Sequence, residues 1–228
     1  MTTHLAIRIP PVMLADLASE GAPPCVRNVV DLRDGSGAPR AVAYVERELP
    51  PGGIPAYLAA RDTGARSFVL WADELRGSRV ATVVTESAAH GVATYHVLDA
   101  RGELIGTLVR EKAFRGRGIR TRWTVHQPGV GEAVGYKGRI FWWLVCWLLF
   151  PLMPFVLIAA LFENSDVPRA PRRIKWRGGG RLLLDFRPIR DRLELRAPEV
   201  DWRLGAALLA LLRSFDGWFH TSWDSRKK

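Results

Sequence analysis

Histidine, cysteine and paired carboxylates are the side chains that most often ligate metals or move protons near neutral pH. This chain carries His4, His90, His96, His126 and His220, and its two cysteines are Cys25 and Cys146. Their spacing matches no zinc or haem pattern and builds no disulfide framework. His96 and His126 fall in expected strands and can meet across a sheet, where a hydrogen-bonded histidine is the plain outcome. Asp99, Asp185 and Asp201 occupy positions suited to turn and cap residues. Neither a G-x-S-x-G elbow nor an H-E-x-x-H pair is present. No catalytic residue, metal or cofactor is therefore expected. The run GVGEAVG at 129–135 has the glycines of a phosphate loop, but that loop needs a parallel strand before it and a helix after it. Here antiparallel hairpins are expected on both sides.

Charge is the next source of chemistry. Lys and Arg total 33 against 23 Asp and Glu, a net charge of +10. Such an excess favours acidic partners: nucleic acid, anionic lipid or an acidic protein. Arginine outnumbers lysine 28 to 5, which codon bias in a GC-rich bacterial genome also produces. The run VREKAFRGRGIRTRW at 109–123 concentrates Arg110, Lys112, Arg115, Arg117, Arg120 and Arg122. It is a hairpin loop with solvated strand faces, or a surface for anionic lipid at about 1 kcal/mol per charge. No RNP-like aromatic pattern accompanies it, so nucleic acid is not the expected partner.

Residues 140–162, IFWWLVCWLLFPLMPFVLIAALF, contain no charge. Twenty-three residues suffice to span ~30 Å of hydrocarbon as a helix. Fourteen are Leu, Ile, Phe or Val, for an insertion gain of at most about 6 kcal/mol. Pro151 and Pro154 interrupt the middle, each costing ~3 kcal/mol in a water-exposed helix but less in a membrane. Pro151 divides the run into halves of ~16 Å, about one leaflet each. Three placements follow: a hairpin dipping into one leaflet, a full crossing, or an apolar hairpin buried in protein or between copies of the chain. The hairpin is the expected one. Trp142, Trp143, Trp147, Phe150 and Phe155 are its inserting residues. Arg115, Arg117, Arg120, Arg122, Lys137, Arg139, Arg172 and Arg173 are the expected headgroup contacts.

These residues need elements to position them. Hydrophobic residues make up 48% and charged ones 25%, an ordinary globular balance. The N-terminus, MTTHLAIRIPPVMLADLASE, lacks a basic leader, so a cytoplasmic start is expected. A strand or arm opens the chain, followed by a short helix near Val12–Ser19. CVRNVVDL (25–32) and AVAYVER (41–47) read as strands around the DGSG turn, and PPGGIP breaks the pattern at 50–55. From residue 66, RSFVLWA, SRVATVVTE, GVATYHVLD, ELIGTLVRE, IRTRWTVHQ and EAVGYK alternate with turn chemistry. RRIKWR, RLLLDFR and RLELRA continue the pattern after the apolar run. Many strands at about ten-residue spacing argue for a sandwich or barrel. DWRLGAALLALLRSFD then forms a helix capped by Asp201. Leu204, Leu208, Leu209, Leu211 and Leu212 leave no polar face, so it is expected to be a core helix wrapped by sheet.

Strands carrying YHVLDARGELIGTLVRE and IRTRWTVHQ, followed by a terminal DWRLGAALLALLRSFD helix, resemble the tubby-like β-barrel superfamily. That group includes tubby C-terminal domains, phospholipid scramblases and LURP-one-related proteins. The resemblance covers about residues 66–137 and 172–216. It implies a mainly β chain: a closed antiparallel barrel around a hydrophobic C-terminal helix. The apolar run, which departs from the family's pattern, is expected to be a helical hairpin inserted between the strands. The resemblance implies phosphoinositide binding or lipid movement in some relatives. The expected organisation is an N-terminal arm and first strands (1–65), barrel strands (66–139), the membrane-inserting segment (140–162), further strands and the central helix (163–216), and a basic aromatic tail (217–228). The expected function is non-enzymatic binding of anionic membrane phospholipid at the cytoplasmic face of the plasma membrane. A scramblase-like lipid mover and a soluble interaction module that homo-oligomerises through the apolar run are the alternatives, and a membrane protein is a further partner.

Overall fold

Alternating burial along the chain resolves into twelve antiparallel strands in a computed structural model that describes residues 2–8, 25–114, 118–138, 173–188, 191–215 and 222–224. They are β1 (Thr3–Arg8), β2 (Asn28–Asp34), β3 (Arg40–Arg47), β4 (Phe68–Trp71), β5 (Arg79–Ala89) and β6 (Val92–Asp99). β7 (Leu104–Glu111), β8 (Arg122–Gln127), β9 (Gly131–Tyr136), β10 (Ile174–Gly178), β11 (Arg181–Arg187) and β12 (Arg192–Leu195) follow. Each pairs with its neighbours in sequence, and β1 also pairs with β12, so the sheet closes into a barrel. Leu5 lies opposite both Leu193 and Leu32 at the closure. Closure removes every sheet edge that could recruit another strand. The mainly β class and closed antiparallel barrel expected from the sequence are thus present.

Inward positions are apolar at every second residue. Ala93, Tyr95 and Val97 of β6 and Trp123 and Val125 of β8 are buried, and their intervening neighbours are not. Turn chemistry acts where the sequence placed it. Asp99 Oδ1 accepts hydrogen bonds from the amides of Arg101 (2.7 Å) and Glu103 (2.9 Å) between β6 and β7. His90 and Gly91, with φ of 51° and 80°, form the two-residue hairpin between β5 and β6. The glycines of 129–135 belong to the β8–β9 hairpin, so no helix follows them.

One helix was not expected. α1 (Gly53–Thr63) starts within the Pro-Gly cluster, with Gly52 at its N-cap and Gly64 at its C-cap, both left-handed. The helix formers of AYLAAR lie just beyond that break, and Gly64 supplies the usual stop. Tyr57 is its buried residue.

α2 (Trp202–Ser214) is the expected C-terminal helix. Asp201 caps it by accepting from the Arg203 amide at 2.8 Å. Leu204, Leu208, Leu209 and Leu211 are buried in the same apolar cluster as the strands, while Leu212 is half-buried. A Cβ on Gly205 would lie 2.9 Å from side-chain carbons of Leu195 and Leu5. A Cβ on Gly106 of β7 would lie 2.6 Å from the His126 carbonyl oxygen and 3.0 Å from Leu204. Glycine is what these approaches admit.

The two barrel ends differ. Tight turns close one, at 34–40, 99–104, 127–131 and 178–181. The other carries the long connections: β1 to β2, β3 to β4 with α1, β7 to β8, and β9 to β10. Loops on a rigid scaffold are where proteins place function.

Candidate functional site

β9 leaves the barrel and β10 returns as adjacent antiparallel strands, with Val134 opposite Arg177. Gly138 and Arg173, which flank 139–172, therefore emerge side by side at the long-connection end. The β7–β8 loop stands next to them. Phe114, Ile119 and Tyr136 are 40%, 47% and 44% exposed there, a group of large apolar side chains facing solvent. The Arg120 guanidinium lies 4.6 Å from the Tyr136 ring centroid and donates to the Gly138 carbonyl at 3.4 Å. The Lys137 amide donates to the Thr121 carbonyl at 3.0 Å, tying β8 to the exit of β9. Aromatic and cationic groups thus share one rim, the combination that suits a membrane–water interface.

The structure brings Arg120, Arg122, Lys137 and Arg173 of the expected headgroup set to this end. Arg122 pairs with Glu111 at 3.4 Å and Glu132 at 3.5 Å. Arg173 makes a two-point pair with Asp185. Arg115, Arg117, Arg139 and Arg172 lie outside the described residues, as do Trp142, Trp143, Trp147, Phe150, Phe155 and the helix expected near Val12–Ser19. Among the described residues, no helix is long and apolar enough to cross a membrane. Within the basic run, Arg110 and Lys112 are not on a solvated face. They continue the inward side of β7, are only 4% and 5% exposed, and Arg110 stacks 4.1 Å from the Phe215 ring centroid.

Behind this rim is a buried polar cluster that sequence reasoning missed. Asp224 is fully buried; its Oδ2 accepts a hydrogen bond from the Tyr57 hydroxyl at 3.0 Å and forms ion pairs with Arg61 Nε at 3.2 Å and Arg66 Nε at 3.3 Å. Arg61 also donates to Ser222 Oγ at 2.6 Å. Arg61 and Arg66 both reach the Ser214 carbonyl, at 3.3 and 3.4 Å. Cations at a helix C-terminus complement its exposed carbonyls. Trp223 pins the same short segment: its indole N–H donates to the Ala210 carbonyl at 2.8 Å, and its ring meets Phe68 edge-on at 5.6 Å. Burial pushes the Asp224 carboxyl above the ordinary aspartate range, against the pull of Arg66 and Arg61. Burial likewise raises the Tyr57 hydroxyl, and the Asp224 charge raises it further. No local pattern could reveal this cluster, because Asp224 lies about 160 residues along the chain from Tyr57, Arg61 and Arg66.

Asp185 corrects another expectation. It is not a turn residue but a fully buried position of β11, opposite Lys175 and Glu194 on the barrel's outer face. Burial alone would raise its carboxyl. The hydrogen bond and charge of Arg173, with the charges of Arg187 and Lys175, outweigh burial and hold it below the usual range. A carboxyl depressed in the folded chain adds stability that is present above its unfolded pKa and lost as pH falls through its folded one. Asp185→Asn is therefore expected to cost about 2 kcal/mol at pH 7. Urea midpoints between pH 3 and 7 should show the variant and the parent converging at the acid end. His96 and His126 do not meet: both stand opposite Thr107, on either side of β7, and His96 Nε2 lies 3.1 Å from Glu86.

No protein-family model matches the chain, and no curated protein or solved structure matches it.

Proposed function

We propose that this chain is a non-enzymatic, membrane-associated domain of tubby-like architecture. It binds anionic phospholipid at the cytoplasmic face through the long-connection end of its barrel. One observation carries the reading: both ends of the segment holding the apolar run emerge side by side, on adjacent strands, beside exposed Phe114, Ile119 and Tyr136. A single crossing would part those ends by the ~30 Å of the hydrocarbon core. A hairpin dipping into one leaflet returns to where it began. Arg120 and Lys137 then meet headgroups, each contributing about 1 kcal/mol of attraction to an anionic surface.

In the same proposal, α2 threads the ring as the hydrophobic helix of that architecture. The strands it touches support this. β1 and β12 are neighbours on one arc, while β5 and β7 lie on the opposite arc.

Liposome flotation tests the function. Full-length chain is expected to float with vesicles containing phosphatidylserine and to float less with neutral phosphatidylcholine. Removing 140–162 should abolish flotation, and Arg120→Glu with Lys137→Glu should erase the preference for anionic lipid. Equal flotation of the parent and the deletion, or none by either, sinks the proposal.

A further inference from the structure

We infer that the pocket holding Asp224 is an anion receptor, filled in cis by the chain's own carboxylate, and that a phosphate-bearing amphiphile is the ligand class suited to replace it. The donor set is the first argument. Two guanidinium groups and a phenol converge on one carboxylate oxygen, at 3.0 to 3.3 Å. Arginine pairs are the groups best shaped to grip the oxygens of a phosphate. Asp224 Oδ1 is buried and accepts no hydrogen bond among the described residues. A tetrahedral anion would present more acceptors than the flat carboxylate does.

A route into the pocket is the second argument. An open cleft of about 440 Å³ includes Tyr57 and Arg66 in its wall. That volume falls within the ~300–1,000 Å³ of small-molecule sites. Its other walls include Leu49, Pro50, Ala60 and Val84, an apolar surface for the remainder of an amphiphile. Glu48 also lines it and is held by the Ser67 hydroxyl at 3.0 Å. The nature of the occupant is the third. Asp224 belongs to no strand or helix, so displacing its side chain leaves the ring paired. The gain from a buried ion pair is largely offset by its desolvation, and burial opposes the charge on Asp224. The inference does not depend on residues 140–162 entering a bilayer.

The test uses full-length Asp224→Ala and Asp224→Asn, the second keeping side-chain volume in case the first does not fold. Melting is followed in inorganic phosphate and in chloride at matched ionic strength. Both variants are expected to melt below the parent. Phosphate at ten times its Kd should raise their Tm by about 3–5 °C, with under ~1 °C for the parent, whose pocket is filled. Adding Arg66→Gln should remove the phosphate effect. Flotation separates the sources of the anion. More flotation of Asp224→Ala than of the parent on phosphatidic acid vesicles, but not on phosphatidylserine, assigns a lipid phosphate monoester. A Tm shift with unchanged flotation assigns a soluble phosphate compound. Phosphate shifts no larger in the variants than in the parent, or shifts that survive Arg66→Gln, overturn the inference.

Discussion

Arg66→Met is expected to lose about 3–5 kcal/mol of folding stability, the cost of breaking a buried ion pair by removing one partner. Arg66 is 5% exposed and Asp224 fully buried, so the lost donor leaves a carboxylate that the folded chain holds away from bulk solvent. The guanidinium also bonds to the carbonyls of Arg61 and Ala65 at 3.0 and 2.7 Å and to Ser214 Oγ at 3.2 Å. It stacks on the Phe215 ring with 4.4 Å to the centroid. Methionine fills the stem's volume and satisfies none of these acceptors. Adding Asp224→Leu should recover part of the loss, because replacing both charges with apolar groups removes the uncompensated carboxylate. Urea denaturation of both single variants and the double gives the coupling energy. Additive losses, with no recovery in the double, would mean that the two charges do not act as a pair.

Leu208→Ala is the second large effect, expected to cost about 2.7–5 kcal/mol. Leu208 is fully buried in the middle of α2. If α2 is clasped between opposite arcs of a closed ring, the wall cannot collapse inward to fill the void without breaking ladder hydrogen bonds. The loss should then fall at the high end of that range. Leu212→Ala, at a half-buried position near the helix end, should cost clearly less. A helix lying on the barrel's surface would make the two losses similar and small, near 1 kcal/mol. Thermal melts and urea midpoints of both variants separate these outcomes, and with them the tubby-like reading from a barrel with a peripheral helix.

The strands were legible because their signals are local. Alternation such as Ala93, Tyr95 and Val97 needs only one strand's own pleat, and turns such as Asp99 to Glu103 close within five residues. The N-cap at Asp201 is local too. α1 was hidden by its entry, because Pro-Pro-Gly-Gly reads as a break even when a helix starts inside it. The basic run shows a subtler limit. Its composition says that charges cluster, yet only the direction of β7 buries Arg110 and Lys112, with Arg110 against Phe215 at the end of α2, while Arg120 turns to the rim beside Tyr136.

By itself the sequence determined the class of element at nearly every described position, the helix that ends the fold, and a 23-residue apolar run with basic flanks. Periodicity, capping and hydropathy act over a few residues, so they can be read without a fold. Tertiary structure alone decided what depends on residues far apart in the chain. It decided that β1 closes on β12, that Gly138 and Arg173 emerge together, and that Tyr57, Arg61 and Arg66 converge on Asp224. Each of these depends on pairing between residues far apart in the chain, and no local preference encodes which distant partners the fold brings together.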